Sequence, residues 1–156
     1  MNAADLIVED DSWNALKGKT RLINEALTAA RDHLGEARPG VIAILLSSDD
    51  AIAELNSRFR DREGATNVLS FPAPENTDNH LGDIALAWGV VSREAQTRKI
   101  EIADHLRHLV IHGYFHLQGL DHQNDDEAEH MEGLERRALA ALGVADPYAA
   151  EEKADI

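Results

Sequence analysis

The segment HGYFHLQGLDH, residues 112–122, constrains this chain more than any other stretch. His112 and His116 are four residues apart, so on a helix their imidazoles share one face, a single turn apart. Gly119 permits the left-handed backbone that ends such a helix. A chain that turns back there brings His122 to the same point. Three neutral imidazoles with an open fourth position are the ligand set of a catalytic zinc, which acidifies a bound water to near neutral pH. The chain has no cysteine, so thiolate ligands, disulfides and thiol catalysis are excluded. One Zn2+ per chain, held by His112, His116 and His122, is the expectation.

Two neighbours qualify the chemistry. A zinc peptidase of the HExxH type keeps a glutamate after its first histidine as general base, and here that place is Gly113. The pattern therefore favours a hydrolytic metal site and disfavours ordinary proteolysis. Asp121 lies between Gly119 and His122, where a carboxylate can orient a ligand imidazole, act on metal-bound water, or simply cap the turn. Four of the eight histidines, His105, His108, His112 and His116, fall on one arc of the same helix. Ile102, Leu106, Leu109, Val110 and Leu117 form the adjoining apolar arc, which should face a sheet.

The apolar pattern predicts an α+β fold: one domain over 1–144, a small mixed sheet with about five helices, and the metal site on the central helix and its turn. Strands are expected at 4–9, 41–46, 66–71 and 84–88, the last entered through Gly82-Asp83. Helices are expected over 20–34, after Ser47 or Ser48 with Ile52, Leu55 and Phe59 on one face, from Ser92 to about 99, over 102–117, and from Asp125 or Asp126 to Gly143. Residues 72–80 read as a polar loop, and 145–156 as a flexible tail. No run approaches about 18 apolar residues, and the first residues are acidic, so a cytoplasmic protein without a membrane partner is expected. The net charge of −14 repels nucleic acid at long range, and an RNA substrate has to be met by a local basic patch or a metal.

HLVIHGYFHLQGLDH (108–122), TNVLSFP (66–72) and LGDI (81–84) together resemble the bacterial YbeY family of zinc-dependent endoribonucleases. LNSRFR (55–60) and HMEGLERRAL (130–139) extend the likeness over roughly residues 40–142. The resemblance implies a small mixed sheet wrapped by helices, with zinc in a cleft on His112, His116 and His122. It also implies single-strand-specific cleavage of RNA in ribosomal-RNA processing, at the 3′ end of 16S rRNA, and in ribosome quality control. Single-stranded or ribosomal RNA is then the substrate, with ribosomal proteins or ribosome-associated factors as candidate partners.

Arg60 matches an arginine that the family uses in catalysis and RNA contact. It sits among Arg58 and Arg62 where a helix should end, a favourable place for a cation. Beside a zinc its fork suits a scissile phosphate. The expected catalytic set is Arg60, His112 and Asp121. The base stays open among hydroxide, Asp121 and a substrate 2′-hydroxyl. Asp83, if buried, needs a partner such as Arg60 or a ligand histidine. A zinc hydrolase of another substrate, or a zinc-containing ribosome-associated protein with weak cleavage, are the alternatives.

Overall fold

The computed structural model describes residues 4–74 and 79–149. Strands β1 (Asp5–Val8), β2 (Val41–Ser47), β3 (Val68–Pro72) and β4 (His80–Ala87) form one sheet in the order β1-β2-β4-β3. β1, β2 and β4 run parallel, and β3 closes the edge antiparallel to β4. The helices are α1 (Lys19–His33), α2 (Asp49–Arg60), α3 (Trp88–Arg98), α4 (Ile102–Leu117) and α5 (Asp125–Ala141). The mixed sheet with five helices matches the expected fold class.

Alternation decides which helix each strand face meets. Ile42, Ile44 and Leu46 of β2 and Ile84 and Leu86 of β4 join the main core with Ile23 and Leu27 of α1, Leu106, Val110 and Leu117 of α4, and Leu139 of α5. The opposite face is smaller, with Leu69, Ala85 and Ala87 packed on Ile52 of α2. The metal helix thus lies on the sheet's larger core face, with α2 behind the sheet. Trp13 is fully buried and donates its indole N–H to the Ser47 carbonyl at 2.9 Å, which ties the N-terminal segment to the end of β2.

Several boundaries differ from expectation. β4 starts at His80, so Gly82 and Asp83 lie inside the strand, because both its edges find backbone partners there. Helix α3 follows β4 directly at Trp88, and Ser92 sits within it, its hydroxyl donating back to the Trp88 carbonyl at 2.7 Å. The cap comes from far in the chain: Asp49 Oδ1 accepts the Val90 N–H at 3.0 Å. Helix α5 opens at Asp125, as expected, and Asn124 caps it by accepting the Glu127 N–H. Ser48 caps α2 as expected, but Phe59 is 59% exposed, resting edge-on against Phe71. Residues 75–78 of the expected polar loop lie outside the described residues.

Beyond the helix stop at Gly143, the described residues of the expected tail run back over the domain. Arg98 donates to the Pro147 carbonyl, Arg136 pairs with Asp146, and the Tyr148 hydroxyl reaches Glu135. Residues 150–156 lie outside the described residues.

Candidate metal centre

The turn after α4 builds the site. Gly119 has φ +94°, its N–H donates to the His116 carbonyl at 3.0 Å, and the Leu120 N–H donates to the Phe115 carbonyl at 3.0 Å. That pair of bonds is the Schellman arrangement, and the positive φ is why glycine stands there. The reversal aims the Leu120 carbonyl at the His116 ring, which donates Nδ1–H to it at 3.0 Å. It also carries His122 back over the helix end. One ring nitrogen from each of His112, His116 and His122 lies within 4.8 Å of the other two. The ring centroids are 4.6, 5.1 and 5.5 Å apart.

The donor set fits a zinc. His112 donates Nδ1–H to Glu135 Oε2 at 3.1 Å, so both helical ligands have Nδ1 occupied and Nε2 bare. The two Nε2 atoms face each other at 3.0 Å. Two lone pairs so placed repel unless a cation lies between them. Nitrogens bound tetrahedrally at about 2.0–2.1 Å from one zinc stand roughly 3.3–3.4 Å apart. Burial, followed by the neighbouring His112 and His122, holds the His116 ring below its usual pKa, which keeps it in the neutral, ligating form.

Glu135 carried no signal in the sequence. It sits in an acidic helix, yet it is fully buried under the histidine arc. Oε1 accepts from His108 Nε2 at 2.7 Å and from the Tyr148 hydroxyl at 2.6 Å, while Oε2 takes His112. Burial alone would raise its carboxyl, but the hydrogen bonds from His108 and His112 outweigh this and bring the pKa down to about 2. His105 is also buried, its Nε2 paired with Glu94 Oε1 at 2.8 Å, and Asn67 donates to the same oxygen at 3.0 Å. His105 and His108 are therefore cross-links between elements and not ligands.

Beside His112 opens a cleft of about 630 Å³. His105 and His108 line it, facing Asn67 at the start of β3 and Arg93 and Arg98 of α3, with Tyr148 at its margin. The two arginines escaped notice in the sequence because α3 had no chemical motif to mark it. Arg60 is not among the cleft residues. It donates to the Ser70 carbonyl and lies over the Phe71 ring, 5.3 Å from its centroid. Ser70 in turn adjoins Gly113, since a Cβ at 113 would stand 3.0 Å from Ser70 Oγ. Asp121 Oδ1 accepts its neighbour's N–H, that of His122, at 2.8 Å. Asp83 pairs with His80 at 2.8 Å, neither with Arg60 nor with a ligand, and is half-exposed. Gly113 is buried against Ile84 and Ser70, so it serves helix–sheet contact rather than open space beside the metal.

The solution structure of TM1509 from Thermotoga maritima shares this fold, with TM-score 0.55 over 92% of this chain and 97% of that one, at 23% identity. The family described as Endoribonuclease YbeY matches residues 8–143. Endoribonuclease YbeY of Maricaulis maris is 66% identical over 152 residues, 97% of this chain and 95% of its own. That of Azorhizobium caulinodans is 45% identical, covering 93% and 95% respectively. With the match running through the metal helix, its turn and the helix that carries Glu135, this chain belongs to the endoribonuclease YbeY family.

Proposed function

We propose that this chain is a zinc-dependent, single-strand-specific endoribonuclease of the cytoplasm that matures ribosomal RNA, including the 3′ end of 16S rRNA, and takes part in ribosome quality control. The observation that carries the metal dependence is the convergence of His112, His116 and His122 with the two helical Nε2 atoms bare and facing. The names of the relatives, all endoribonuclease YbeY, support RNA as the substrate and favour no other hydrolase. No helix among the described residues is long and apolar enough to cross a membrane.

Bound by the three histidines, a zinc supplies Lewis acidity toward the scissile phosphate and the attacking oxygen. The chain's own residues do the rest. Glu135 and the Leu120 carbonyl hold the His112 and His116 rings in the ligating tautomer. Arg60, anchored on the Ser70 carbonyl, takes up charge that develops on the phosphate oxygens. Asp121 adjoins His122 and offers Oδ2 to the proton of the attacking hydroxyl, its Oδ1 being engaged by the His122 amide. Arg93 and Arg98 line the adjoining cleft and offer cationic contacts to a polyanion, with Arg93 also paired to Asp49 at 3.0 Å and Glu94 lining the same cleft. Gly113 provides no carboxylate to protonate a leaving amine, so peptides are poor substrates. The test is parallel turnover of an unstructured RNA and a peptide library by one zinc-replete batch. RNA cleavage without peptide cleavage is expected, and zinc-dependent peptide cleavage with no RNA cleavage would overturn the proposal.

A further inference from the structure

From the geometry beneath the histidine arc we infer that Glu135 is the positioning residue of the metal centre, setting the His112 ring to ligate, and that Tyr148 completes its hydrogen-bonding. This rests on the three-histidine metal reading and is independent of what the enzyme cleaves. A carboxylate removed from water needs donors for both oxygens. Glu135 is fully buried and has three: His108 and Tyr148 on Oε1, His112 on Oε2. An ionised carboxylate only accepts, so it fixes the proton of His112 on Nδ1 and leaves Nε2 free. Carboxylate–histidine–metal chains of this kind orient the ring and raise its basicity.

The three ligands are not supported alike. The His116 ring leans on a backbone carbonyl that no substitution removes. Among the described residues, His112 is the ligand whose ring nitrogen is held by a side chain, and that side chain comes from α5, a different helix. His108 supports Glu135 through Nε2, while its Nδ1 is buried with no partner among the described residues. His108 thus serves as a donor and spacer. Tyr148 reaches the same oxygen from beyond the end of α5, and the Arg136 guanidinium lies 5.2 Å from its ring centroid. Tyr148, beyond the helix stop at Gly143, thereby covers Glu135 Oε1.

Glu135→Gln is the discriminating variant. A carboxamide has one accepting atom and one donating atom, so it cannot accept both from His112 and from the His108–Tyr148 side. Zinc affinity, read by competition with a chromophoric chelator, should fall about 10–100-fold, and the visible spectrum of the Co2+-loaded variant should differ from that of the Co2+-loaded parent. Tyr148→Phe leaves the His112 contact in place and should weaken zinc by less than about threefold. The parent supplies a readout that no folding defect can spoil. Its metal-free ¹⁵N histidine spectrum, at a pH where imidazole is neutral, should show His112 protonated on Nδ1. Zinc affinity of Glu135→Gln within twofold of the parent, an equal loss in Tyr148→Phe, or a parent His112 protonated on Nε2 would each overturn the assignment while leaving the metal site standing. A parent that binds no zinc would overturn the metal reading and the assignment with it.

Discussion

At position 113 two effects of opposite sign meet. Replacing glycine by alanine inside a helix ordinarily gains up to about 1 kcal/mol. Here the added Cβ would stand 3.0 Å from Ser70 Oγ and 3.1 Å from two carbons of Ile84, in the helix–sheet contact. Overpacking of a buried contact costs about 1–3 kcal/mol, so Gly113→Ala should be destabilising on balance, and a denaturant melt reads the sign. His116→Ala leaves two imidazoles on separate elements, and elemental analysis should find the zinc reduced to a small fraction of the parent's. Arg60→Ala removes one hydrogen bond to the Ser70 carbonyl and a cation above Phe71, a loss of about 1 kcal/mol in stability. If the guanidinium takes up phosphate charge, the same change should lower kcat/KM on RNA by about 10²–10³-fold with zinc content unchanged. Cleavage within twofold of the parent would remove Arg60 from the mechanism.

Among the elements, α4 and its turn were the most legible. The apolar residues of Ile102–Leu117 repeat at helical spacing, and the glycine at 119 has φ +94° because the reversal requires it. The start of β4 was hidden because Gly82 looks like a turn residue, whereas here it pairs opposite Pro72 at the sheet edge. The cap of α3 was hidden because Asp49 is 41 residues away from Val90 in sequence. Glu135 was hidden for the same reason, its histidine partners lying 27 and 23 positions upstream in α4. Such contacts belong to packing, and no local pattern marks them. One of them has a pH signature. Burial lowers the His105 pKa below its ordinary 6.5, against the pull of Glu94. The unfolded chain therefore binds this proton first as pH falls. The stability that neutral His105 contributes is present above about pH 6.5 and is lost below it. Metal-free parent should lose stability below that point more steeply than His105→Gln, and superimposable pH profiles would contradict the assignment. Truncation after Asp146 removes the Pro147 carbonyl from Arg98 and the Tyr148 hydroxyl from Glu135. At about 1 kcal/mol per buried hydrogen bond, the melt should report a loss of roughly 1–3 kcal/mol.

For the whole molecule the governing fact is charge. A chain of net charge −14 gains no general attraction for RNA. On the proposed function affinity has to be local, and the groups that could supply it are a divalent cation on His112, His116 and His122, Arg60 at the β3 edge, and Arg93 and Arg98 in the cleft. The sheet makes this economical in space, since β3 presents Ser70 to Gly113 on one face and Phe71 to Phe59 on the other. Arg60, held on the Ser70 carbonyl and over Phe71, and the helix that carries His112 and His116 then meet across one edge strand. Metal dependence is the claim on which this arrangement stands. The direct measurement is a zinc titration of chelator-stripped protein, following cleavage of a single-stranded RNA. Cleavage should be lost on stripping and return in proportion to added zinc, reaching its plateau at one zinc per chain. Cleavage that survives stripping, or a plateau unrelated to one equivalent, would contradict it.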